Sequence, residues 1–202
     1  MDCRNLLNPA LAAIVIAALV VSGIAPFDRA TWFMEVAPVL IALPIMVATR
    51  KNYPLTTLLT VLIAAHALVL IGGGAYTYAR VPLGFWIQDW FDFTRNHYDR
   101  IGHLMQGFGP AIIIRELLIR TSPLAPGKWL FTIVLLTVLG ISATYELIEW
   151  WTALIGGHGA EAFLGTQGDI WDTQNDMFQA LLGAITAQLL LARVHDRQLA
   201  RL

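Results

Sequence analysis

Cysteine and charge are what this 202-residue sequence has least of. Its one cysteine, Cys3, excludes an internal disulfide framework and a zinc site built from several cysteines. Only 13% of the residues are charged and 57% are hydrophobic, whereas ordinary globular domains have roughly 25% charged residues. The net charge is -1, so the balance predicts no nucleic acid partner. The composition instead indicates a membrane protein, and the expected partners are membrane lipids.

Long apolar stretches make up most of the chain. About 20 apolar residues in a helix are needed to cross a bilayer. The sequence therefore predicts an all-α polytopic membrane protein, with residues 1–202 forming a single integral membrane domain. The first stretch ends without a clear small-x-small cleavage site, so a retained anchor is expected rather than a signal peptide. We expect about six transmembrane helices, at residues 9–25, 31–48, 55–75, 101–119, 129–147 and 177–192.

Lysine and arginine are distributed unequally between the two sides that these helices would define. Nine lie at the N-terminus, in the second and fourth loops or at the C-terminus, and four lie on the opposite side. Positively charged residues favour the cytoplasmic side of a membrane. The sequence therefore predicts that both termini are cytoplasmic and that the first, third and fifth loops face outward.

Two of the predicted loops are long. In the third, at about residues 76–100, Trp86, Trp90, Phe93 and His97 recur every three to four residues, which predicts a short helix lying in the membrane interface. The fifth, at residues 150–176, is rich in glycine and acidic residues. Loops of this length in compact proteins tend to be functional.

Acidic residues and one histidine gather where the last three predicted helices reach the outer side. Spacings of three or four residues put neighbouring members on one helix face. Counting 1.5 Å per residue from Lys128 places Glu146 about 27 Å and Glu149 about 32 Å across the membrane, at the outer boundary of the hydrocarbon. The candidate residues are Asp99, His103, Glu146, Glu149, Asp169, Asp172 and Asp176.

Two interpretations of this group are open. Carboxylates packed together repel one another, so some must be neutralised by a proton, a cation or a basic side chain. In one interpretation Arg95, Arg100 and the histidine neutralise them as a network that locks the helices together. In the other they form a functional site for a metal ion or a lipid head group. His103, Glu146 and Glu149 would then be acid/base catalysts. The ligands of a divalent Mg, Mn, Ca or Zn ion would be Asp99, Asp169, Asp172 and Asp176.

The same segments carry a resemblance to known proteins. Residues 98–108, 145–151 and 165–177 resemble the three sequence blocks of the YjdF-type inner-membrane family, a bacterial family of unknown function. This resemblance covers the whole chain, including its loop lengths, and implies a multi-pass protein of the bacterial inner membrane. The order of acidic and histidine positions in the last three helices is similar, more distantly, to VanZ-like proteins. That partial resemblance implies a role in the cell envelope.

Three classes of function fit these observations. The first is an enzyme that processes a lipid or lipid-linked envelope substrate at the outer face, and we take it as the expectation. The second is a small transporter, although its polar groups would be expected nearer the midplane of the membrane. The third is a non-catalytic membrane scaffold or binding protein, which is the main alternative to the enzyme.

Overall fold

A computed structural model describes residues 3–156 and 166–202 of the chain. All regular elements in this part of the chain are α-helices, so the all-α prediction is confirmed for it. The helices, in chain order, are α1 (Cys3–Ile24), α2 (Arg29–Thr49), α3 (Thr57–Tyr76), α4 (Pro82–Phe91), α5 (Tyr98–Thr121), α6 (Lys128–Gly156) and α7 (Asp172–Leu199).

Four of the described helices, α2, α3, α6 and α7, are long and apolar enough to cross a membrane. The apolar part of α1 is shorter and covers Pro9–Ile24. Helix α5 has 24 residues, but five of them are charged, from Asp99 at its start to Arg120 at its end. The prediction of about six crossings is therefore more than length and apolarity support.

The last three helices extend beyond the membrane-crossing stretches predicted for them. The apolar stretch of α6 was expected to end at residue 147, but the helix continues to Gly156. It continues because the next nine residues, 147–155, contain neither proline nor glycine. Helix α7 begins at Asp172 rather than at residue 177, since an aspartate in the first turn is stabilised by the helix dipole. With these extensions, residues 157–171 lie between the two helices, and residues 157–165 lie outside the described part.

Helix α4 is the short helix expected in the third loop. It has proline at its first turn and ends where Asp92 adopts a left-handed conformation with φ 53°. The predicted pattern extended further, but Phe93 and His97 follow this turn and lie outside the helix. Trp86 and Trp90 are 57% and 72% exposed, as expected for side chains at a membrane interface.

The closest helix pair in the bundle is α5 with α7. Gly107 packs against the backbone carbonyl of Ala180, and Gly183 packs against that of Leu104. A Cβ atom at either glycine would overlap the facing backbone, so the two helices can approach this closely only because the side chains are absent. The pair lies between α3 and α6, and its core includes Ile112 and Ala184.

The two ends of the bundle differ in charge. Helices α5 and α7 begin, and α6 ends, at what we call the acidic end, which contains Asp99, Glu146 and Asp176. At the opposite end, which we call the basic end, α5 finishes and α6 begins, with Arg115 and Lys128 beside one cavity. The close α5–α7 packing fixes the positions of the ionisable side chains at both ends.

Candidate functional site

His103 lies at the centre of the acidic end and is 5% exposed. Its Nε2 atom is 3.6 Å from Asp99 Oδ1, 3.8 Å from Glu146 Oε1 and 4.0 Å from Asp176 Oδ2. Its Nδ1 atom is 3.0 Å from Gln106 Oε1, one turn further along α5. Because that amide oxygen only accepts hydrogen bonds, Nδ1 carries the ring proton, and the lone pair of a neutral ring at Nε2 faces the carboxylates. Three helices therefore bring three carboxylates within 4.0 Å of one nitrogen.

Two carboxylate oxygens of this group have no hydrogen-bond partner among the described residues. They are Glu146 Oε1 and Asp176 Oδ1, and the two residues are 7% and 2% exposed. A buried polar atom without a partner destabilises the folded state unless a ligand satisfies it. Within the described ranges, His103 is the one basic side chain within 4.0 Å of these carboxylates. The arrangement therefore offers oxygen atoms to a cation.

The distances fit the size of a metal coordination sphere. Ligand atoms at about 2.1 Å from one ion lie roughly 3 to 4 Å apart, close to the 3.6–4.0 Å between His103 Nε2 and its three carboxylate neighbours. The ligand atoms of Asp99, His103 and Asp176 lie within 4.8 Å of one another, and so do those of His103, Glu146 and Glu149. Glu149 thus adjoins the group from the next turn of α6.

Asp169 and Asp172 lie beside this group but face arginines. Arg95 Nη2 donates to Asp172 Oδ1 at 2.9 Å, and Arg100 Nη2 donates to Asp169 Oδ2 at 2.9 Å. Asp169 also accepts the backbone N–H of Trp171, and this bond is the main reason why the pKa of its carboxyl lies below the usual value. The structure thus brings Asp99, His103, Glu146, Glu149 and Asp176 together, and it places the other two candidates in ion pairs.

The segment 166–171 is attached to the loop before α5. Arg95 Nη1 donates to the carbonyl of Thr166 at 2.8 Å. Asn96 and Gln167 exchange two hydrogen bonds, of 3.2 and 2.8 Å, between the backbone of one and the side chain of the other. The Asn96 side chain packs against Gly84 of α4 so closely that a Cβ atom there would overlap it. These contacts hold Asp169 and Asp172 at the edge of the acidic end.

Three further residues beside the site, Glu35, Tyr78 and Tyr145, were not predicted from the sequence. Glu35 of α2 is 4% exposed, and its Oε2 accepts a hydrogen bond from Tyr145 Oη at 3.0 Å. The Tyr145 ring lies edge-on to the His103 ring, with centroids 6.3 Å apart. Burial, followed by the charge of Glu35, raises the pKa of Tyr78 well above the usual value. The sequence did contain one signal for these residues, namely Glu35, because an ionisable residue within an apolar helix often marks a functional site.

Comparisons with known proteins agree with the membrane assignment. A family model described as "Predicted membrane protein (DUF2238)" matches residues 7–197. The chain is 53% identical over 183 residues to the inner membrane protein YjdF of Escherichia coli (strain K12), which covers 91% of this chain and 88% of that protein. The expected YjdF-type resemblance is thus confirmed, whereas these comparisons do not show the VanZ-like one. No solved structure matches the chain.

Proposed function

For this chain, which belongs to the DUF2238 family of predicted membrane proteins, we propose the function of a metal-dependent enzyme that processes a lipid or lipid-linked substrate of the cell envelope. One observation carries the proposal. Carboxylate oxygens of Asp99, Glu146 and Asp176 face one point beside His103 Nε2, 3.6–4.0 Å from that atom, and one oxygen each of Glu146 and Asp176 has no hydrogen-bond partner among the described residues. That point is where a divalent cation would bind.

A cation accounts for this arrangement better than protons do. Protonation would remove the negative charge of Glu146 and Asp176, but a proton on Glu146 Oε1 or Asp176 Oδ2 would not form a hydrogen bond to His103 Nε2, because the distances of 3.8 and 4.0 Å are too long. A coordinated ion satisfies both oxygens and balances their charge. One imidazole nitrogen with several carboxylate oxygens suits Zn, Mn or Mg. Gln106, bonded to the far nitrogen of the ring, would hold the imidazole in the orientation that coordination requires.

The proposed roles differ from those expected from the sequence. In this proposal His103 and Glu146 are ligands, together with Asp99 and Asp176, rather than acid/base catalysts. A bound divalent ion would supply a polarised oxygen or an activated water. Glu149 lies beside His103 and Glu146, and in this proposal it does not bind the ion but accepts and returns a proton.

The surroundings of the site support a lipid-like substrate. Trp150 and Trp151 at the end of α6 are 55% and 51% exposed, and Ile170 and Trp171 before α7 are 84% and 61% exposed. Exposed tryptophans are typical of the membrane–water interface, where an apolar ring meets acyl chains and its N–H meets water. A substrate with an acyl chain and a polar head group could bind with its head group at the carboxylates.

The finer topology is part of the same proposal. Helix α5 can cross the membrane despite its charges, because His103, Arg115 and Glu116 are all buried against other helices. Helix α1 has 22 residues, and a helix of that length measures about 33 Å. With these two there are about six crossings. Both termini are then cytoplasmic by the charge distribution, and the acidic end faces outward.

The test is the metal content of the purified, detergent-solubilised protein, measured by elemental analysis. We expect about one divalent ion per chain in the unmodified protein, and its loss in Asp176→Asn and His103→Ala. The matched control is Asp89→Asn, which alters an exposed aspartate of α4 and should keep the ion. Adding Zn, Mn or Mg to metal-free protein should raise its melting temperature. This stabilisation is about 2.7 kcal/mol at 100 times the dissociation constant.

Membrane abundance and an envelope phenotype, measured on the same variants, separate a functional site from a structural network. Loss of the phenotype at normal abundance and stability supports the functional site. If the group only locks helices together, His103→Ala should lower stability by roughly 3–5 kcal/mol, and abundance should fall together with the phenotype. A protein that neither retains a divalent ion nor is stabilised by one would contradict the proposal.

A further inference from the structure

A cavity of about 550 Å³ opens at the basic end of the bundle, away from the candidate metal site. It lies where α5 ends, α6 begins and α7 passes. Leu130 and Phe131 form part of its apolar wall. The polar side chains that line it are Arg115, Lys128, Thr132, Gln188 and Asp196. The function proposed above uses none of them.

The position of Arg115 in the cavity wall is fixed by a buried network. Arg115 is 4% exposed, and its Nη2 atom is 2.7 Å from Asp196 Oδ1. Its Nη1 atom is 2.8 Å from His195 Nδ1. Because a guanidinium can only donate, His195 must accept at Nδ1 and therefore carries its proton at Nε2. That Nε2 donates to Glu116 Oε2 at 2.9 Å. The network fixes the Arg115 guanidinium at the edge of the cavity, with Asp196 as its counter-ion.

The charged residues that line the cavity have a net positive charge, and part of its wall is apolar. Lys128 is exposed at the start of α6, and Asp196 is the one carboxylate among the lining residues, so two cations face one anion. Gln188 is 4% exposed, and its amide donates to the carbonyl of Phe131 at 3.3 Å. The neighbouring surface is strongly apolar, with Trp129 77% exposed and Leu189 70% exposed. Such a surface faces lipid, and the cavity therefore opens at the boundary between lipid and water.

We propose that this cavity binds the head group of an anionic phospholipid. Lys128 pairs with the phosphate, the buried Arg115 guanidinium adds positive potential beside it, and the apolar wall contacts the glycerol and the first methylenes of the acyl chains. Basic pockets between transmembrane helices are a known way of binding anionic head groups. A metal cation is disfavoured by the net charge, and a free phosphate would leave the apolar wall unused. This proposal does not depend on the metal site or on which side of the membrane the basic end faces.

The experiment measures phospholipid binding to the full-length, detergent-solubilised protein by native mass spectrometry. Phosphatidylglycerol, which is anionic, is titrated against phosphatidylethanolamine, which is zwitterionic. Lys128→Ala should weaken phosphatidylglycerol binding about fivefold, which is the effect of one lysine near an anionic surface. The matched control is Lys51→Ala, which removes an exposed lysine outside the cavity and should leave binding unchanged. Asp196→Asn removes the competing carboxylate and should strengthen binding.

Three results would overturn the proposal. Equal weakening by Lys128→Ala and Lys51→Ala would show a general attraction to the charged surface rather than a site. Equal retention of the two phospholipids would show that the negative charge of the head group is not recognised. If glycerol phosphate bound as tightly as phosphatidylglycerol and displaced it, the ligand would be a free phosphate compound rather than a membrane lipid.

Discussion

At the scale of single residues, Glu35 connects the N-terminal helices to the acidic end. It lies on α2 between Trp32 and Val36, which are both in the core formed with α1 and α3. Its carboxylate accepts the hydroxyl of Tyr145, which comes from α6 and also contacts the ring of His103. Tyr145 therefore links a buried carboxylate of one half of the molecule to the candidate site of the other.

Replacing Tyr145 with phenylalanine should destabilise the protein without removing the ring beside His103. The substitution takes one donor from a buried carboxylate, which costs about 1–3 kcal/mol. For a protein of this size, the melting temperature should fall by roughly 2–10 °C. The control is Tyr76→Phe, because Tyr76 is 46% exposed and should tolerate the change. Equal melting temperatures for the two variants would mean that the bond between Tyr145 and Glu35 contributes nothing measurable.

At the scale of helices, the contact between α5 and α7 organises the bundle. Gly107 and Gly183 each pack on the backbone of the opposite helix, so dispersion contacts extend along both helices without intervening side chains. The same two helices bring His103 and Asp176 together at one end and Glu116 and His195 at the other. The spacing of both polar groups therefore depends on this one interface.

Gly107→Ala should disrupt the α5–α7 interface, since the added methyl group meets the carbonyl of Ala180. Overpacking of this kind costs about 1–3 kcal/mol, and both the thermal stability and the metal binding of the purified protein should decrease. Gly140→Ala in α6 is the matched control, because nothing lies within 4 Å of its added Cβ. That variant should be neutral or slightly more stable, because alanine favours helix more than glycine does. If the two variants have the same melting temperature, the α5–α7 interface is not as tight as described.

The parts of the site that could be predicted from sequence are those determined by helix periodicity. Asp99 and His103 share a face because they are four residues apart, and the apolar stretches after them predict α5 and its neighbours. The pairing of Arg95 with Asp172 could not be predicted, because it depends on how the segment 166–171 folds back on the loop before α5. Glu35 was missed because its partner, Tyr145, is 110 residues away in sequence.

At the scale of the whole molecule, the two ends of the bundle have opposite chemistry. In the described part of the chain, the acidic end presents carboxylate oxygens without a hydrogen-bond partner, and the basic end presents Arg115 and Lys128 around a cavity. The two ends are expected on different sides of a membrane, because positively charged residues are retained on the cytoplasmic side. The charge distribution of the folded bundle is thus a prediction about its orientation.

We expect a cytoplasmic reporter enzyme fused after Leu202 to be active, because the basic end should face the cytoplasm. A reporter that works only outside the cytoplasm should be active when inserted at Asp92, which is an exposed residue between α4 and α5. The measurement is reporter activity in whole cells, normalised to the amount of fusion protein in the membrane. The reverse pattern of activities would show that the orientation, or the number of crossings, is wrong.

The polarity of α5 has a consequence for how the chain enters the membrane during synthesis. Helix α5 has too many charged residues to be stable among lipids alone, and the helix that packs closest to it, α7, begins only at Asp172. Between Thr121 and Asp172 the ribosome must add about 50 residues, which takes roughly 3–10 seconds. If α5 crosses the membrane as proposed, the insertion machinery has to shield it during this time, and we expect the C-terminal half of the protein to enter the bilayer as a group rather than helix by helix.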